Sequence, residues 1–342
     1  MLKWYQETEN QHDVFVAGRI RLVRNLEHYP FPLKLSGEDA GELVGKLENG
    51  LENIGSVDGK NYKKLSVSVM DKTEKKALKE RRAINGAGAS KEGPETLLLS
   101  EDESVSLLLN GEDHIRLQCI AGGAVLPALW KEAGQLDDYI NERFGYAFHE
   151  KYGYLTAYPT NMGTGLRAAV ALHLPMLSVG KQFTKLVGEI SRFGVSVRGL
   201  YGEGSENYGA LYEVSNQKTL GVTEEEIISL VQQMADRLAA SERKIKSLTL
   251  RSHRLDMEDE VFKSYGVLKY AKKLSLKEAM IYLSQVRVGE MEGLLEFKTP
   301  LNLYGLMMEI QPAGMELLAP EDKDDLKKAR ADYIRKQLPE LV

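Results

Sequence analysis

The sequence predicts an α+β fold: an antiparallel β-sheet flanked by helices, followed by a helical C-terminal domain. Two stretches carry the expectation. From Thr96 the chain reads TLLLSEDESVSLLLNGEDHIRLQCI, in which apolar runs rich in Leu, Val and Ile are broken by SEDES and by Asn110-Gly111; this is the pattern of a strand meander. From residue 251 onward, LKEAMIYLSQVRV, LNLYGLMMEI and LKKARADYIRKQL follow a helical period with little strand pattern. Asn-Gly between two apolar runs signals a tight hairpin, because both residues tolerate the positive φ of a type I′ turn. Thr223-Glu224-Glu225-Glu226 opens a capping box before IISLVQQMADRLAASERKIKSL, and Ile227, Leu230, Met234 and Leu238 then share one face of a long helix. That helix closes the first domain. The change of period places a boundary near residue 250, with one domain over 14–248 and a second over 251–342.

Composition narrows the function classes. The 342 residues are 43% hydrophobic and 8% aromatic, enough for a sizeable core and for about two domains. Lys and Arg total 45 against 50 Asp and Glu, a net charge of -5, so no global field favours nucleic acid or an anionic membrane and any basic site must be local. Cys119 is the single cysteine, which excludes an intramolecular disulfide and a multi-cysteine zinc site. The N-terminal MLKWYQETENQHD lacks the layout of a signal peptide, and a cytoplasmic protein is expected. The longest apolar stretch, Ile120 to Trp130, is far shorter than the roughly 20 residues of a membrane span.

The common phosphate signatures are missing: there is neither G-x-x-x-x-G-K-[ST] nor a G-x-G-x-x-G between strand and helix. His149-Glu150 has no second histidine four residues on, so H-E-x-x-H is absent too. Arginine recurs instead beside strand-like or glycine-rich segments: Arg19, Arg21 and Arg24 in AGRIRLVRN, Arg116 in EDHIRLQ, Arg167 in NMGTGLRAAV and Arg198 in SVRGLYGEGSENYG. A strand puts Arg19 and Arg21 on the same face. Guanidinium forks converging on one point bind a triphosphate without a P-loop, each donating bidentate charge-assisted hydrogen bonds. Taken singly, any of these arginines reads more readily as a solvated surface residue with a local ion pair. YLTAYPTNMGTGLRAAVALHLP has the density of a tight loop, and a helix is expected from about Thr164, with Thr164 or Asn161 as N-cap and an anion at its start. GLYGEGSENYG, with four glycines and two carboxylates in eleven residues, suits a mobile lid that delivers a glutamate.

In this order and at these separations, GRIRLVRN, NGEDHIRLQC, YLTAYPTNMGTGLRA, VRGLYGEGSE and LYEVSNQKTLG resemble the catalytic domain of the phosphagen (guanidino) kinases, over roughly Val14 to Leu248. HIRLQC, RGLYGEGSE and the separate helical C-terminal region are similar to the bacterial protein-arginine kinase branch. Only 18 residues precede Arg19, where the animal enzymes carry a helical domain. The resemblance implies ATP and Mg²⁺, with Arg19, Arg21, Arg116, Arg167 and Arg198 clamping the phosphates. It extends the nucleotide set to Ile20, Arg82, Ala168, Ala169, Val170, Gly199, Leu200, Tyr201 and Gly202. Glu112 stands in the guanidinium-contacting position, and Glu203 and Glu206 in the loop that supplies a second carboxylate. No metal-ligating side chains are expected.

Five positions depart from the family pattern: Gly111 replaces a first glutamate, Ala17-Gly18 a serine pair, Tyr158 a reactive cysteine, and Arg82 a nucleotide-contacting histidine. The bacterial branch also recognises phosphoarginine allosterically through R-D-x-x-R-A. The nearest segment is Asp324 to Ala329, with Asp325 and Lys328 as the weakened counterparts, since lysine lacks the planar fork. The implied activity is phosphorylation of protein arginines as a stress and degradation mark. The implied partners are arginine-bearing protein substrates, a zinc-binding activator protein, a heat-shock repressor, the Clp unfoldase-protease and a second copy in a homodimer; nucleic acid and membrane are not among them. Two other readings stand beside it, a small-molecule guanidino kinase and an adaptor that binds arginine or phosphoarginine without turnover.

Overall fold

The computed structural model describes residues 1–9, 13–86, 93–201, 207–319 and 325–342. Ten strands occur among them: β1 (Phe15–Arg24), β2 (Tyr62–Ser66), β3 (Thr96–Ser100), β4 (Val105–Leu109), β5 (Ile115–Gly122), β6 (Phe148–His149), β7 (Gly153–Tyr154), β8 (Leu166–His173), β9 (Val195–Gly199) and β10 (Leu211–Asn216). Eight form one sheet in the order β2-β3-β4-β5-β1-β8-β10-β9, while β6 and β7 form a small ribbon. Every neighbouring pair is antiparallel. The expected meander is therefore present as β3-β4-β5 at one side of the sheet.

Six helices fall before the C-terminal region: α1 (Gly37–Gly50), α2 (Gly55–Asp58), α3 (Lys72–Glu80), α4 (Leu126–Phe144), α5 (Lys181–Ser191) and α6 (Glu224–Ser252). The alternation of each strand assigns its apolar residues to one face. Ile20 and Leu22 in β1, Leu117 and Cys119 in β5, and Ala168 and Val170 in β8 pack with Leu47 of α1, Leu136 and Ile140 of α4, and Val231 and Leu238 of α6. The capping box at Thr223 and Glu226 forms as expected. The buried stripe of α6 runs through Ile227, Ile228, Val231, Ala235 and Leu238, with Leu230 and Met234 at its margin.

Five more helices follow: α7 (Arg254–Tyr270), α8 (Leu276–Met291), α9 (Leu303–Glu309), α10 (Pro312–Leu318) and α11 (Leu326–Gln337). Their core closes on the sheet's other face. Val16, Ala17, Ile120, Ala171 and Leu211 share one apolar cluster with Met280, Leu283, Val286, Tyr304 and Met307. A buried polar contact reinforces it, for His173 of β8 lies 2.7 Å from Ser284 Oγ and 2.9 Å from an Arg287 Nη, both on α8. A second dock joins α3 to α10, where the Glu80 carboxylate accepts from Ala313 N–H at 3.0 Å and Gly314 N–H at 2.8 Å. Glu80 there meets the free N–H groups at a helix start.

Two local expectations are corrected. LRAAVALH is strand β8, not a helix starting near Thr164. Gly163 and Gly165, at φ +106° and +63°, turn the chain, and pairing with β1 and β10 then uses the backbone groups on both sides. Thr164 still caps locally, accepting from Leu166 N–H at 3.2 Å. The link from β4 to β5 spans residues 110–114 and is wider than a two-residue turn. Asn110 takes the positive φ of +59°, and its N–H donates to the His114 carbonyl at 2.7 Å. The extra length serves Asp113 and His114, both tied to distant segments.

Candidate active site

Strand parity places the arginines. Arg19 and Arg21 in β1, Arg116 in β5, Arg167 in β8 and Arg198 in β9 all project from the face opposite the helix-covered core. Arg21 is registered directly across from Arg167, a like-charge pair that opposes sheet formation unless an anion intervenes. Arg19, Arg21 and Arg116 each leave a buried Nε without a hydrogen-bond partner. Burial, followed by neighbouring guanidinium groups, pushes Arg19 and Arg116 well below the ordinary arginine range and Arg21 down to about 9. Arg167 is lowered by burial and by Arg198. Arginine keeps its proton in proteins, so these groups hold their charge where burial and like charge disfavour it, with the Glu213 carboxylate meeting Arg19.

Arg24 shows the other outcome. It points to the helix side, where its Nη2 lies 2.7 Å from Asp137 on α4 and its guanidinium carbon lies 3.6 Å from the Tyr154 ring centroid. It is a buried structural ion pair and belongs to no cavity.

A cavity of about 550 Å³ lies over the arginine face, lined by Arg19, Arg21, Arg167, Arg198, Glu112, Tyr158, Asn161 and Glu213 among others. Arg21 donates to Asn161 Oδ1 at 3.2 Å. Glu112 enters from the 110–114 loop, whose position is set by its neighbours. Asp113 Oδ1 accepts from Asn25 Nδ2 at 2.7 Å and from Ala157 N–H at 2.6 Å. His114 Nδ1 accepts from Leu26 N–H at 3.1 Å. The Asn85 amide donates to Glu112 Oε2 at 2.8 Å. Tyr158, 46% exposed, stands beside Glu112, whose charge and hydrogen bonding hold the phenol above its ordinary value.

A second cavity of about 420 Å³ is lined by Lys76, Lys79, Glu80, Arg82, Leu200 and Tyr201. Arg82 has a left-handed backbone, φ +68°, and its carbonyl accepts from Gln118 Nε2 at 2.6 Å. Its guanidinium pairs with Glu213, which also binds Arg19. The two cavities therefore meet at the Arg82–Glu213 pair.

Of the residues singled out in the sequence, Arg19, Arg21, Arg167, Arg198 and Glu112 come together around the first cavity, with buried Arg116 beside Arg21 and Arg19. Arg82, Leu200 and Tyr201 line the second. Ala169 shares the arginine face, opposite Arg19, and Gly199 is registered against Tyr212 at the strand end. Ile20, Ala168 and Val170 turn their side chains into the apolar core, so only their backbone is near the arginines. Gly202, Glu203 and Glu206 lie outside the described residues, as does Asp324. Asp325 caps α11, accepting from Lys328 N–H at 3.2 Å, and pairs with Lys273 Nζ at 2.7 Å. Glu213, Gln118 and Asn85 were not singled out. The signal for Glu213 was the same period-two rule, applied to LYEVSN.

Comparison with known proteins agrees with this geometry. The profile described as ATP:guanido phosphotransferase, C-terminal catalytic domain, matches residues 43–245, and that of the protein-arginine kinase McsB C-terminal domain matches 254–341. A protein-arginine kinase of Clostridium novyi (strain NT) is 36% identical over 340 residues, covering 99% of this chain and 98% of the relative. One from Halothermothrix orenii is 36% identical over 342 residues, with 98% and 96% covered. Among solved structures, lombricine kinase matches with a TM-score of 0.61 at 21% identity, over 70% of this chain and 69% of that one, a likeness of fold. Relatives matched over nearly their whole length, and profiles covering the sheet from β2 onward and the C-terminal helices, leave one assignment: the chain belongs to the protein-arginine kinase family of ATP:guanido phosphotransferases.

Proposed function

We propose that this protein transfers the γ-phosphoryl group of ATP to arginine side chains of proteins, giving phosphoarginine and ADP. The observation that carries the reading is the crowding of guanidinium groups on one sheet face, where the Glu213 carboxylate meets Arg19, while Arg21, Arg116 and Arg167 call for further negative charge. A polyphosphate supplies that charge, and the forks of Arg19, Arg21, Arg116, Arg167 and Arg198 would receive it. The cavity beside Arg82, Leu200 and Tyr201 suits the nucleoside end. Mg²⁺, when bound, adds neutralising charge to the phosphates. The phosphate oxygens are its proposed ligands.

Glu112 is the proposed proton acceptor. A guanidinium with a pKa above ~12 is a poor nucleophile while protonated, so a carboxylate must orient it and take a proton as the Nη–P bond forms and the bond to the ADP oxygen breaks. Asn85 holds one oxygen of Glu112 in place. Glu203 and Glu206 are the proposed second carboxylates. The remaining work is alignment and charge neutralisation, which the arginine face provides.

The curated relatives, named protein-arginine kinases, favour a protein substrate over a small guanidino compound. Glu112 beside the complete arginine set favours turnover over an adaptor that only binds. The reading carries with it a cytoplasmic setting, a homodimer, domains over 14–248 and 251–342, and phosphoarginine as a stress and degradation mark. It also carries the zinc-binding activator, the heat-shock repressor and the Clp unfoldase-protease as partners. Asp325 and Lys328 are kept as a weak phosphoarginine site. Among the described residues no helix is long and apolar enough to cross a membrane. Incubating the purified protein with ATP, Mg²⁺ and either an unfolded basic protein or free arginine tests the central claim. Acid-labile phosphate is expected on protein arginines, and equal turnover of free arginine would replace the reading with a small-molecule kinase.

A further inference from the structure

Glu213 brings a carboxylate to a sheet face otherwise dominated by arginine. It is registered opposite Arg198 on β9, yet its strongest contacts lie further away. Across the intervening β8, Arg19 Nη2 donates to Oε1 at 2.9 Å and to Oε2 at 3.0 Å. Oε2 also accepts from Arg82 Nη2, in the turn after α3. One carboxylate thus joins guanidinium groups from two unconnected segments. Arg82 is fixed a second time at its carbonyl by Gln118, on the same face of β5. A left-handed arginine backbone persists only where its surroundings hold it, and here both its ends are gripped.

We propose that Glu213 is a positioning residue that yokes Arg19 and Arg82 where the two cavities meet, so that both forks address one phosphate chain. This rests on the nucleotide reading above. Without the carboxylate, two like charges at close range repel, and Arg82 loses the contact that points it at the phosphates instead of solvent. Glutamine at 213 keeps the shape but carries no charge and turns an NH₂ donor toward the guanidinium groups in place of one acceptor oxygen, so it holds both forks more weakly.

The test uses the full chain. Glu213→Gln is expected to lower kcat/KM for ATP by about tenfold or more, the scale on which a close charge pair loses one member, with the melting curve unchanged. In an Arg82→Ala background the further loss from Glu213→Gln should shrink to about threefold or less, because the yoked partner is gone. Glu213→Asp keeps the charge on a shorter arm and should recover part of the activity; it also serves if the glutamine variant does not fold. Wild-type kcat/KM in Glu213→Gln, an undiminished loss in the Arg82→Ala background, or equal losses in Glu213→Asp and Glu213→Gln overturns the yoke. Wild-type protein that neither binds ADP nor phosphorylates protein refutes the nucleotide reading itself, and the yoke with it.

Discussion

Arg21 and Arg24 sit three positions apart on one strand and meet opposite fates. Odd spacing sends Arg24 into the helix side, where Asp137, the Thr164 carbonyl and the Tyr154 ring satisfy it. Arg21 faces the cavity, across from Arg167 and short of negative charge. The first half of this was legible, since period two alone pairs Arg19 with Arg21. The role of Glu213 was not, because it depends on how β10, β8 and β1 come into register, a non-local fact. Glu112 was legible only through the family resemblance; nothing in NGEDHIR by itself marks it. Its chemistry gives a prediction at this scale. Glu112→Gln should leave ADP binding nearly intact while lowering turnover at least ~10²-fold, the lower end of what a positioned acid–base group contributes. Equilibrium titration beside initial rates checks it, and wild-type turnover would remove Glu112 from the mechanism.

Among the elements, β8 is where local pattern and structure part. Its alanines suit a helix as well as a strand, and the loop before it has residues that cap helices. The deciding influence is tertiary: both edges of β8 are paired, and propensity yields to that. The turn into β8 depends on Gly165. At φ +63° a Cβ there would meet Arg24 Nη1 at 2.5 Å and the Val23 carbonyl oxygen at 2.6 Å. Gly165→Ala therefore combines a left-handed alanine with displacement of a buried arginine, and should destabilise the protein by about 2–4 kcal/mol. Urea denaturation measures it; a change below about 0.5 kcal/mol, the range of ordinary surface substitutions, would show that the turn relaxes freely. The helical reading of LKEAMIYLSQVRV, LNLYGLMMEI and LKKARADYIRKQL holds in α8, α9 and α11, because segments without strand alternation or turn residues signal themselves locally.

On the scale of the whole molecule, three apolar clusters share one sheet, and the C-terminal helices use strand residues as part of their own interior. Change of period locates where helices take over, but it is silent about what they rest on. Glu290 on α8 gives this junction a pH dependence. Burial lifts its carboxyl from 4.5 to about 7, against the lowering effect of Arg287. Folding therefore takes up a proton between those two values. The associated stability is complete below about pH 4.5, declines as pH rises through 7, and is flat above. Glu290→Gln should remove this slope and gain on the order of 1–3 kcal/mol relative to wild type between pH 5 and pH 8; parallel melting curves at both pH values would count against it. The dock of α3 on α10 has a consequence of another kind. Glu80 holds the amide protons of Ala313 and Gly314, and two residues later comes Arg82, the proposed nucleotide contact. A ligand that fixes Arg82 must, by linkage, raise the free energy of opening at that helix start. Deuterium uptake over the first turn of α10 should slow when ADP is added and should lose that response in Arg82→Ala, so these two amides become a clock, far along the sequence, for occupancy of the active site.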